Sequence, residues 1–378
     1  MKFDRRLFFN FDWMLLILVL GICLLGILNI YSAGFSLSDI RLKFLYIKQF
    51  QWMGAGLLFM ALAFSVDYRT ITRHAYAIYF GSLVLLLLVF VIGYATRGSQ
   101  RWIACGWFSF QPSELIKLTV ILALARYFDD HKSESGYLLR ELAAPFFIVL
   151  VPFLIIMKQP DLGTGLILMF LFLSIVFVVG VRWKSIILSA CGGLALIPLS
   201  WLFLRDYQKE RIMAFFEPER DPLGAGYHII QSVIAVGSGG LFGKGFLRGT
   251  QTQLKFLPEQ QTDFVFSVFA EEWGFLGGVI LMFLFLTLIL WGLKIADRSK
   301  DLSGRLISVG VAMLIFWQVF INIGMVLGII PVVGIPLPFM SYGGSSMVAL
   351  MTGIGLLLNV RMRRFVLQSS LQKGERLK

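Results

Sequence analysis

The chain has 378 residues, of which 58% are hydrophobic and 15% are charged, and its formal net charge is +12. A soluble domain has about 25% charged residues, so this composition excludes an ordinary soluble protein and indicates a polytopic α-helical membrane protein. The basic excess does not indicate nucleic-acid binding, because many of the lysines and arginines lie in short loops between long apolar runs.

Apolar runs of about 20 residues, each long enough to cross a bilayer core of about 30 Å, recur along the chain. We predict a single membrane domain over residues 1–378 with about ten spans. The predicted spans are 13–32, 48–66, 75–95, 112–128, 143–158, 162–181, 184–204, 264–293, 305–330 and 346–360. An even number of spans puts both termini on one side, and the Lys and Arg clusters at both ends indicate that this side is cytoplasmic.

Three segments between these spans fall on the outer side of the predicted topology. The first is 95–113, and the second is a large loop, 205–263, between the seventh and eighth spans. This loop is rich in glycine, which makes it our candidate for a mobile segment, and its Ile229–Ile234 stretch predicts an interfacial helix. The third, 331–346, has no charge and contains three prolines. Irregular apolar backbone is tolerated at membrane depth only inside protein or beside a cavity, so we predict a re-entrant loop next to a site.

A predicted helix start at Pro112 carries two opposite charges. Glu114 and Lys117 are three residues apart and therefore share a helix face. Such a pair inside a membrane is either purely structural, or Lys117 binds a phosphate that Glu114 helps to orient.

Further along, Asp161 follows the short run Lys158-Gln159-Pro160 and is well placed to be a helix N-cap. Four outer cations lie near glycine-rich backbone and form either a solvated rim or a site for a pyrophosphate anion. They are Arg97, Arg101, Lys244 and Arg248.

Asp263 lies where a long polar loop returns into an apolar helix. A charge near hydrocarbon costs several kcal/mol unless water or a partner offsets it, so such a residue is rarely without a role. It is either a helix-start residue favoured by the macrodipole or a general base that the dipole keeps ionised. Glu271 and Glu272 lie deeper on the same helix, and we predict structural partners for them, a buried Lys or Arg.

Histidine and cysteine patterns exclude several other classes of site. The histidines, His74, His131 and His228, are far apart in the sequence, so neither a metal centre nor a Ser-His-Asp triad is indicated. Cys23, Cys105 and Cys191 have no pairing or metal-binding spacing. No Walker A motif is present, so ATP is not implied.

Several of these motifs, taken together and in order, resemble the SEDS family (shape, elongation, division and sporulation). The matching motifs are Arg101-Trp102, Phe108 to Lys117, Gln159 to Thr164, Gly239 to Gly243, Phe256 to Phe266 with Ala270-Glu271-Glu272, and Pro338 to Ser346. Three features resemble the elongation member of the family more than the division member. They are the short termini, the run Phe110 to Glu114 and the run Gly334 to Pro338.

The resemblance implies a peptidoglycan glycosyltransferase that polymerises lipid II at the outer face of the bacterial cytoplasmic (inner) membrane. Asp263 matches the catalytic aspartate of the family, and Glu114, Lys117 and Asp161 match polar residues that line the same cavity. We add further candidates for binding the sugar or the pyrophosphate of lipid II: Arg101, Lys244, Glu259 and Ser345. The resemblance also implies a class B penicillin-binding protein as partner. For the cofactor two alternatives stay open: none, or a divalent cation, Mg or Mn, at the pyrophosphate.

The main alternative function is a transporter that flips lipid II across the membrane. Polar residues within spans, an interrupted apolar loop and glycines would suit a transporter too. The position of Asp263 at the outer surface, rather than at the bilayer midplane, favours the enzyme.

Overall fold

The computed structural model describes residues 11–35, 40–96, 99–105, 108–133, 136–182, 185, 187, 202, 206–220, 224–254, 256–257 and 259–364. Within these residues the chain is mostly helical. The helices are α1 (Trp13–Phe35), α2 (Ile40–Lys43), α3 (Leu45–Ser65), α4 (Tyr68–Arg73), α5 (Ala75–Ile92), α6 (Pro112–Asp130), α7 (Ala143–Lys158), α8 (Leu162–Val179), α9 (Asp206–Phe216), α10 (Ala225–Ser238), α11 (Thr250–Gln253), α12 (Val265–Asp297), α13 (Leu302–Val326) and α14 (Gly344–Arg363).

Each predicted span other than 184–204 coincides with a described helix. Among the described helices, six are long and apolar enough to cross a membrane: α1, α5, α8, α12, α13 and α14. The predicted span 184–204 lies almost entirely outside the described residues. The membrane-protein class and the helical fold are therefore confirmed, and the number of ten spans stays a prediction.

The centre of the bundle is formed by α6, α13 and α14. Nearly every residue of α6 from Pro112 to Ala125 is buried, including Glu114, Lys117 and Thr119. A helix that faces protein on all sides can carry polar groups at membrane depth, because neighbouring helices rather than lipid surround them. This explains why α6 is less apolar than the outer helices.

Glycines allow the central helices to approach closely. A Cβ added to Gly310 on α13 would lie 2.4 Å from Ile121 on α6, and one added to Gly355 on α14 would lie 2.6 Å from the carbonyl oxygen of Met60 on α3. Small residues at such crossings are the usual means by which membrane helices gain packing contacts. The close packing fixes the relative positions of the helix ends that form the site.

Three short strands form a sheet between α5 and α6, which the all-helical prediction did not include. They are β1 (Tyr94–Thr96), β2 (Ser99–Cys105) and β3 (Phe108–Phe110), paired antiparallel in this order. Their pairing satisfies backbone groups that a plain loop at the membrane surface would leave to water. β2 also carries Arg101 to the start of α8.

The predicted outer loop 205–263 contains α9, a 3₁₀ turn (Pro218–Arg220), α10 and α11. The helix predicted around Ile229–Ile234 is confirmed as part of α10. Ser232 on α10 is fully buried, and its hydroxyl donates to Val326 O at 2.7 Å and lies 2.9 Å from Ser267 Oγ. This face of α10 therefore packs on the bundle.

The glycine-rich run 239–245 forms backbone hydrogen bonds with α12 at a break in that helix. At Gly274 the backbone leaves helical geometry (φ 68°, ψ −167°), so that backbone groups on both sides of it lose their helical partners. The four replacement bonds are Phe275 N to Gly240 O at 2.9 Å, Leu276 N to Leu241 O at 3.1 Å, Lys244 N to Glu271 O at 3.0 Å and Gly245 N to Glu272 O at 3.0 Å. Close backbone contact at Gly239 and Gly243, and positive φ at Gly240, Gly243 and Gly245, thus explain the glycines of this run.

We expect Gly243→Ala to destabilise the protein by at least about 2 kcal/mol. Gly243 has φ +81°, and an added Cβ would lie 2.1 Å from Glu272 O, so both backbone strain and a clash with rigid backbone oppose the change. Thermal unfolding in detergent measures the effect. Gly237→Ala is the matched control, because nothing lies within 4 Å of an added Cβ there. Equal unfolding temperatures for the two variants would contradict this account.

Candidate active site

Asp263 lies in a tight turn that leads into α12. The turn is closed by Glu259 O, which accepts from Thr262 N at 3.0 Å and from Phe264 N at 3.3 Å. Phe264, not Asp263, is the N-cap residue of α12, so the Asp263 carboxylate is not the capping group. The side chain is half-buried and belongs to the residue just before the N-cap of α12, at the positive end of the helix dipole.

The irregular segment 331–343 packs directly against this turn, as the prediction of a loop beside a site requires. Ser341 Oγ donates to Thr262 O at 2.6 Å, and Tyr342 N donates to Gln261 O at 2.8 Å. Gly334 faces the carboxylate: an added Cβ would lie 3.3 Å from Asp263 Oδ2. The segment therefore forms one wall beside Asp263.

Asn322 holds the turn and this segment together from α13. Its Nδ2 donates to Asp263 O at 2.9 Å and to Ile335 O at 2.7 Å, and the side chain is fully buried. Sequence reasoning missed this residue. The available signal was an amide in an otherwise apolar span, together with Gln318 four residues earlier, since polar groups at membrane depth commonly have a function.

We expect Asn322→Leu to reduce kcat by about tenfold to a hundredfold, because displacement of a catalytic group by about 1 Å has effects of this size. Asn359→Leu is the matched control. Asn359 also clamps two carbonyl groups, Ala63 O at 2.7 Å and Val66 O, but it lies on the part of α14 far from Asp263. Both variants should lower the unfolding temperature in detergent, and Asn322→Leu alone should lower kcat of the folded protein. Similar losses of kcat in both would contradict the positioning role.

Asp161 is confirmed as the N-cap of α8. It accepts from Thr164 N at 3.2 Å and from Thr164 Oγ1 at 3.0 Å. Arg101 lies beside it, with Nη1 3.7 Å from Asp161 Oδ1 and Nε donating to Gln159 O at 3.1 Å. The first turn of α8 contacts the irregular segment, since a Cβ added to Gly163 would lie 2.9 Å from Val333 O. Asp161 and Arg101 thus border the same region as Asp263.

Glu114 and Lys117 form the predicted ion pair in the first turns of α6. Lys117 Nζ lies 2.7 Å from Glu114 Oε1, and the side chains are only 2% and 5% exposed. Ser345 connects this helix start to α14, because its hydroxyl accepts from Gln111 N at 3.0 Å. Among the described residues, neither Glu114 Oε2 nor Ser113 Oγ has a hydrogen-bond partner, although both are buried. Buried polar atoms of this kind usually bind water or a ligand.

Four helix starts are connected by contacts to the turn of Asp263 and the irregular segment beside it. The first turns of α6 and α14 meet at Ser345, the first turn of α8 meets the irregular segment, and α12 begins just after Asp263. Each helix N-terminus presents unpaired amide groups and a partial positive charge. Helix N-termini that are connected in this way make the region favourable for an anion such as pyrophosphate.

Lys244 occupies a different position from the one expected of a pyrophosphate ligand. Its ammonium donates to Glu271 Oε1, Ser238 Oγ and Thr250 Oγ1, each at 2.7 Å. These three bonds use all three of its donors and tie the glycine-rich run to α12. The structural pairing predicted for Glu271 is confirmed.

The prediction of a Lys or Arg partner for Glu272 is wrong within the described residues. Its carboxylate accepts from the Ser32 hydroxyl and from Leu247 N at 3.2 Å. Arg248 is exposed, and Arg97 lies outside the described residues. Of the predicted cations, Arg101 lies beside Asp161 and Lys117 lies beside Glu114.

Glu259 lies in the Asp263 turn, half-buried, and its Oε2 accepts from Thr262 Oγ1 at 3.2 Å. The carboxylates near Asp263 do not converge on one point: within the described part of the chain, no group of three or more His, Cys, Asp or Glu is arranged to hold a metal ion. A divalent ion in this region would take most of its ligands from a bound pyrophosphate and water.

Comparison with known proteins gives matches over nearly the whole chain. The chain is 41% identical over 362 residues to the peptidoglycan glycosyltransferase MrdB of Escherichia coli K12, with 96% of each chain covered. It is 34% identical to the peptidoglycan glycosyltransferase RodA of Treponema pallidum, with 94% of this chain and 98% of the relative covered.

Two solved structures share the fold. The crystal structure of the rod shape determining protein RodA of Thermus thermophilus superposes with a TM-score of 0.70 at 34% identity, covering 94% of this chain and 98% of that one. A chain from a peptidoglycan synthase complex, solved to explain how polymerisation and crosslinking are coordinated, gives a TM-score of 0.79 at 35% identity with the same coverage. The family model for FtsW, RodA and SpoVE, described as "Cell cycle protein", matches residues 12–365. This chain therefore belongs to the SEDS family, which contains FtsW, RodA and SpoVE.

Proposed function

We propose that this peptidoglycan glycosyltransferase polymerises lipid II at the outer face of the cytoplasmic membrane during cell elongation, with Asp263 as the general base. The observation that supports this most strongly is the half-buried Asp263 carboxylate at the irregular segment 331–343, which also contacts the first turn of α8 and leads into α14. The start of α14 in turn contacts the start of α6, which carries the buried Glu114–Lys117 pair. A base and an anion-binding region next to each other are what transfer of a sugar from a pyrophosphate requires.

The reaction is a single displacement. The 4-hydroxyl of the acceptor sugar gives its proton to Asp263 while its oxygen forms a bond to the anomeric carbon of the donor. The bond between that carbon and the pyrophosphate oxygen breaks, and its electron pair leaves with undecaprenyl pyrophosphate. The anomeric carbon is therefore inverted. Pyrophosphate is a good leaving group, so no second carboxylate is needed as an acid, unlike in most glycoside hydrolases.

Lys117, Arg101 and the helix starts stabilise the negative charge on the leaving pyrophosphate. The Lys117 ammonium has three N–H donors, and within the described residues it donates to Glu114 Oε1. Its other donors can bind phosphate oxygens. Buried cationic donors act more strongly here than in water, because little solvent screens them. Lys244 contributes indirectly, by holding the glycine-rich run against α12.

We further propose that both termini are cytoplasmic and that the partner is a class B penicillin-binding protein, which crosslinks the new strands. The similar chain solved within a peptidoglycan synthase complex, and the clusters of Lys and Arg at both ends of the sequence, support these two proposals.

Polymerisation in detergent separates this function from transport. Purified chain, alone and with its cognate penicillin-binding protein, is incubated with labelled lipid II, and the products are separated by gel electrophoresis. Because no membrane divides two compartments, a transporter forms no polymer. We expect glycan strands from the wild-type chain in the presence of its partner. Lipid II that binds but stays monomeric under all conditions would refute the enzyme and favour transport.

A further inference from the structure

A second charged site lies at the end of α12 opposite to Asp263. Four cations, Lys294, Arg298, Arg361 and Arg364, line one cavity between the end of α12 and the end of α14, with Ile295 and Val360 as apolar lining. A general excess of Lys and Arg on the cytoplasmic side explains their number. It does not explain their convergence, from two helices distant in sequence, around one cavity.

The charges in this cavity are only partly compensated. Asp12 is buried, forms an ion pair with Arg361 and accepts from Trp291 Nε1 at 2.6 Å. Asp297, which precedes the lining residue Arg298 in the sequence, is exposed. The four lining cations outnumber these two carboxylates, which suits an anion.

Trp291 orients two of the cations. Its ring lies 5.8 Å from Lys294 Nζ and 5.7 Å from Arg361 Cζ, both within the range of cation–π attraction. Trp also prefers the level of the lipid headgroups in a bilayer. Trp291 therefore favours a position of the cavity at the level of the lipid phosphates.

An apolar stripe on α12 leads into the cavity. Phe283, Leu286 and Leu290 are 66%, 50% and 54% exposed, and with Lys294 they follow the spacing of one helix face. An acyl chain can lie along the three apolar residues while its headgroup reaches the lysine. This arrangement distinguishes a lipid from a soluble anion, which would need only the cations.

We propose that this cavity, the basic cavity, binds the phosphate headgroup of an anionic phospholipid of the inner leaflet, with one acyl chain along the stripe on α12. The cations supply charge-assisted hydrogen bonds to the phosphodiester, and Ile295 and Val360 contact the glycerol region. The site is separate from Asp263 and does not depend on the chemistry proposed there.

Native mass spectrometry of the full-length protein tests this proposal. The protein is delipidated and titrated with phosphatidylglycerol, cardiolipin or phosphatidylethanolamine. The variant Lys294→Gln with Arg298→Gln is compared with Lys300→Gln with Arg305→Gln, which removes the same charge from exposed positions outside the cavity lining. We expect the cavity variant to weaken binding of the two anionic lipids by at least about tenfold, because each cation near an anionic headgroup contributes roughly a fivefold gain. The control should bind as the wild type does.

The unfolding temperature of each variant in detergent shows whether it is folded. Equal retention of anionic lipids by all three proteins, or equal loss in both variants, would overturn the proposal. So would competition by inorganic phosphate at concentrations that saturate the cavity, because a soluble anion would then be the ligand. Equal binding of phosphatidylethanolamine and phosphatidylglycerol would also contradict it.

Discussion

Replacement of Lys117 by Met is expected to destabilise the protein by about 3–5 kcal/mol and to abolish polymerisation. The change leaves the Glu114 carboxylate buried without its cation, and an uncompensated buried charge has a cost of this size. The two side chains are 2% and 5% exposed, so water cannot take the place of the ammonium without rearrangement. Thermal unfolding in detergent and the lipid II assay measure the two effects separately.

The double variant Glu114→Gln with Lys117→Met separates the structural role from the catalytic one. It removes both charges, so we expect most of the lost stability to return while polymerisation stays absent, because no ammonium remains for the pyrophosphate. A double variant that polymerises at the wild-type rate would show that the pair is only structural.

A surface ion pair on the same helix, α6, is the control for these variants of Glu114 and Lys117. Arg126 and Asp130 lie 2.7 Å apart but are 34% and 35% exposed, and solvent screens such pairs. We expect Arg126→Met to change the stability by less than about 1 kcal/mol. An equally large loss in Arg126→Met would contradict the argument from burial.

The local features of the site could be predicted from the sequence. The start of α6 at Pro112, the cap at Asp161 and the Glu114–Lys117 pair follow from residues at most four positions apart, whose geometry a helix fixes. The positions of the long apolar helices could be predicted from the length of the apolar runs.

Contacts between distant segments could not be predicted in the same way. The partners of Asn322 lie in two other segments, and Lys244 is 27 residues from Glu271, so no local period relates them. The break at Gly274 is another example, because glycines within an apolar helix are tolerated and do not indicate which segment packs against them.

Two features of the structure add to what the sequence predicted. In the 205–263 loop, Gly239 and Gly243 contact backbone so closely that a Cβ at each would lie 2.1 Å from its nearest atom, while the mobility of the loop stays a prediction. The segment 95–113 contains a sheet instead of a plain loop. The sequence did not predict this sheet, because its short strands show no clear alternation of apolar and polar residues.

Replacement of Asp263 by Asn is expected to reduce the rate of glycosidic bond formation by about 10²–10⁴-fold, the usual contribution of a general base. The amide has nearly the same shape and can still accept a hydrogen bond, but it does not take up a proton at neutral pH. The backbone carbonyl of residue 263 keeps its bond to Asn322, so the turn should persist. The unfolding temperature should change little.

The matched control is Asp130→Asn, the same chemical change at an exposed position at the other end of α6. It should leave the rate unchanged. A similar loss of rate in both variants would indicate a general effect of lost negative charge.

The release of undecaprenyl pyrophosphate in a single turnover is the most direct test of Asp263 as the base. Wild-type chain and Asp263→Asn, each with the partner protein, are brought to the same occupancy by lipid II, and the released pyrophosphate lipid is measured over time. We predict equal Kd for lipid II in both proteins, and release that is at least about 100-fold slower in the variant than in the wild type. Release at the wild-type rate by a folded Asp263→Asn variant would contradict the assignment.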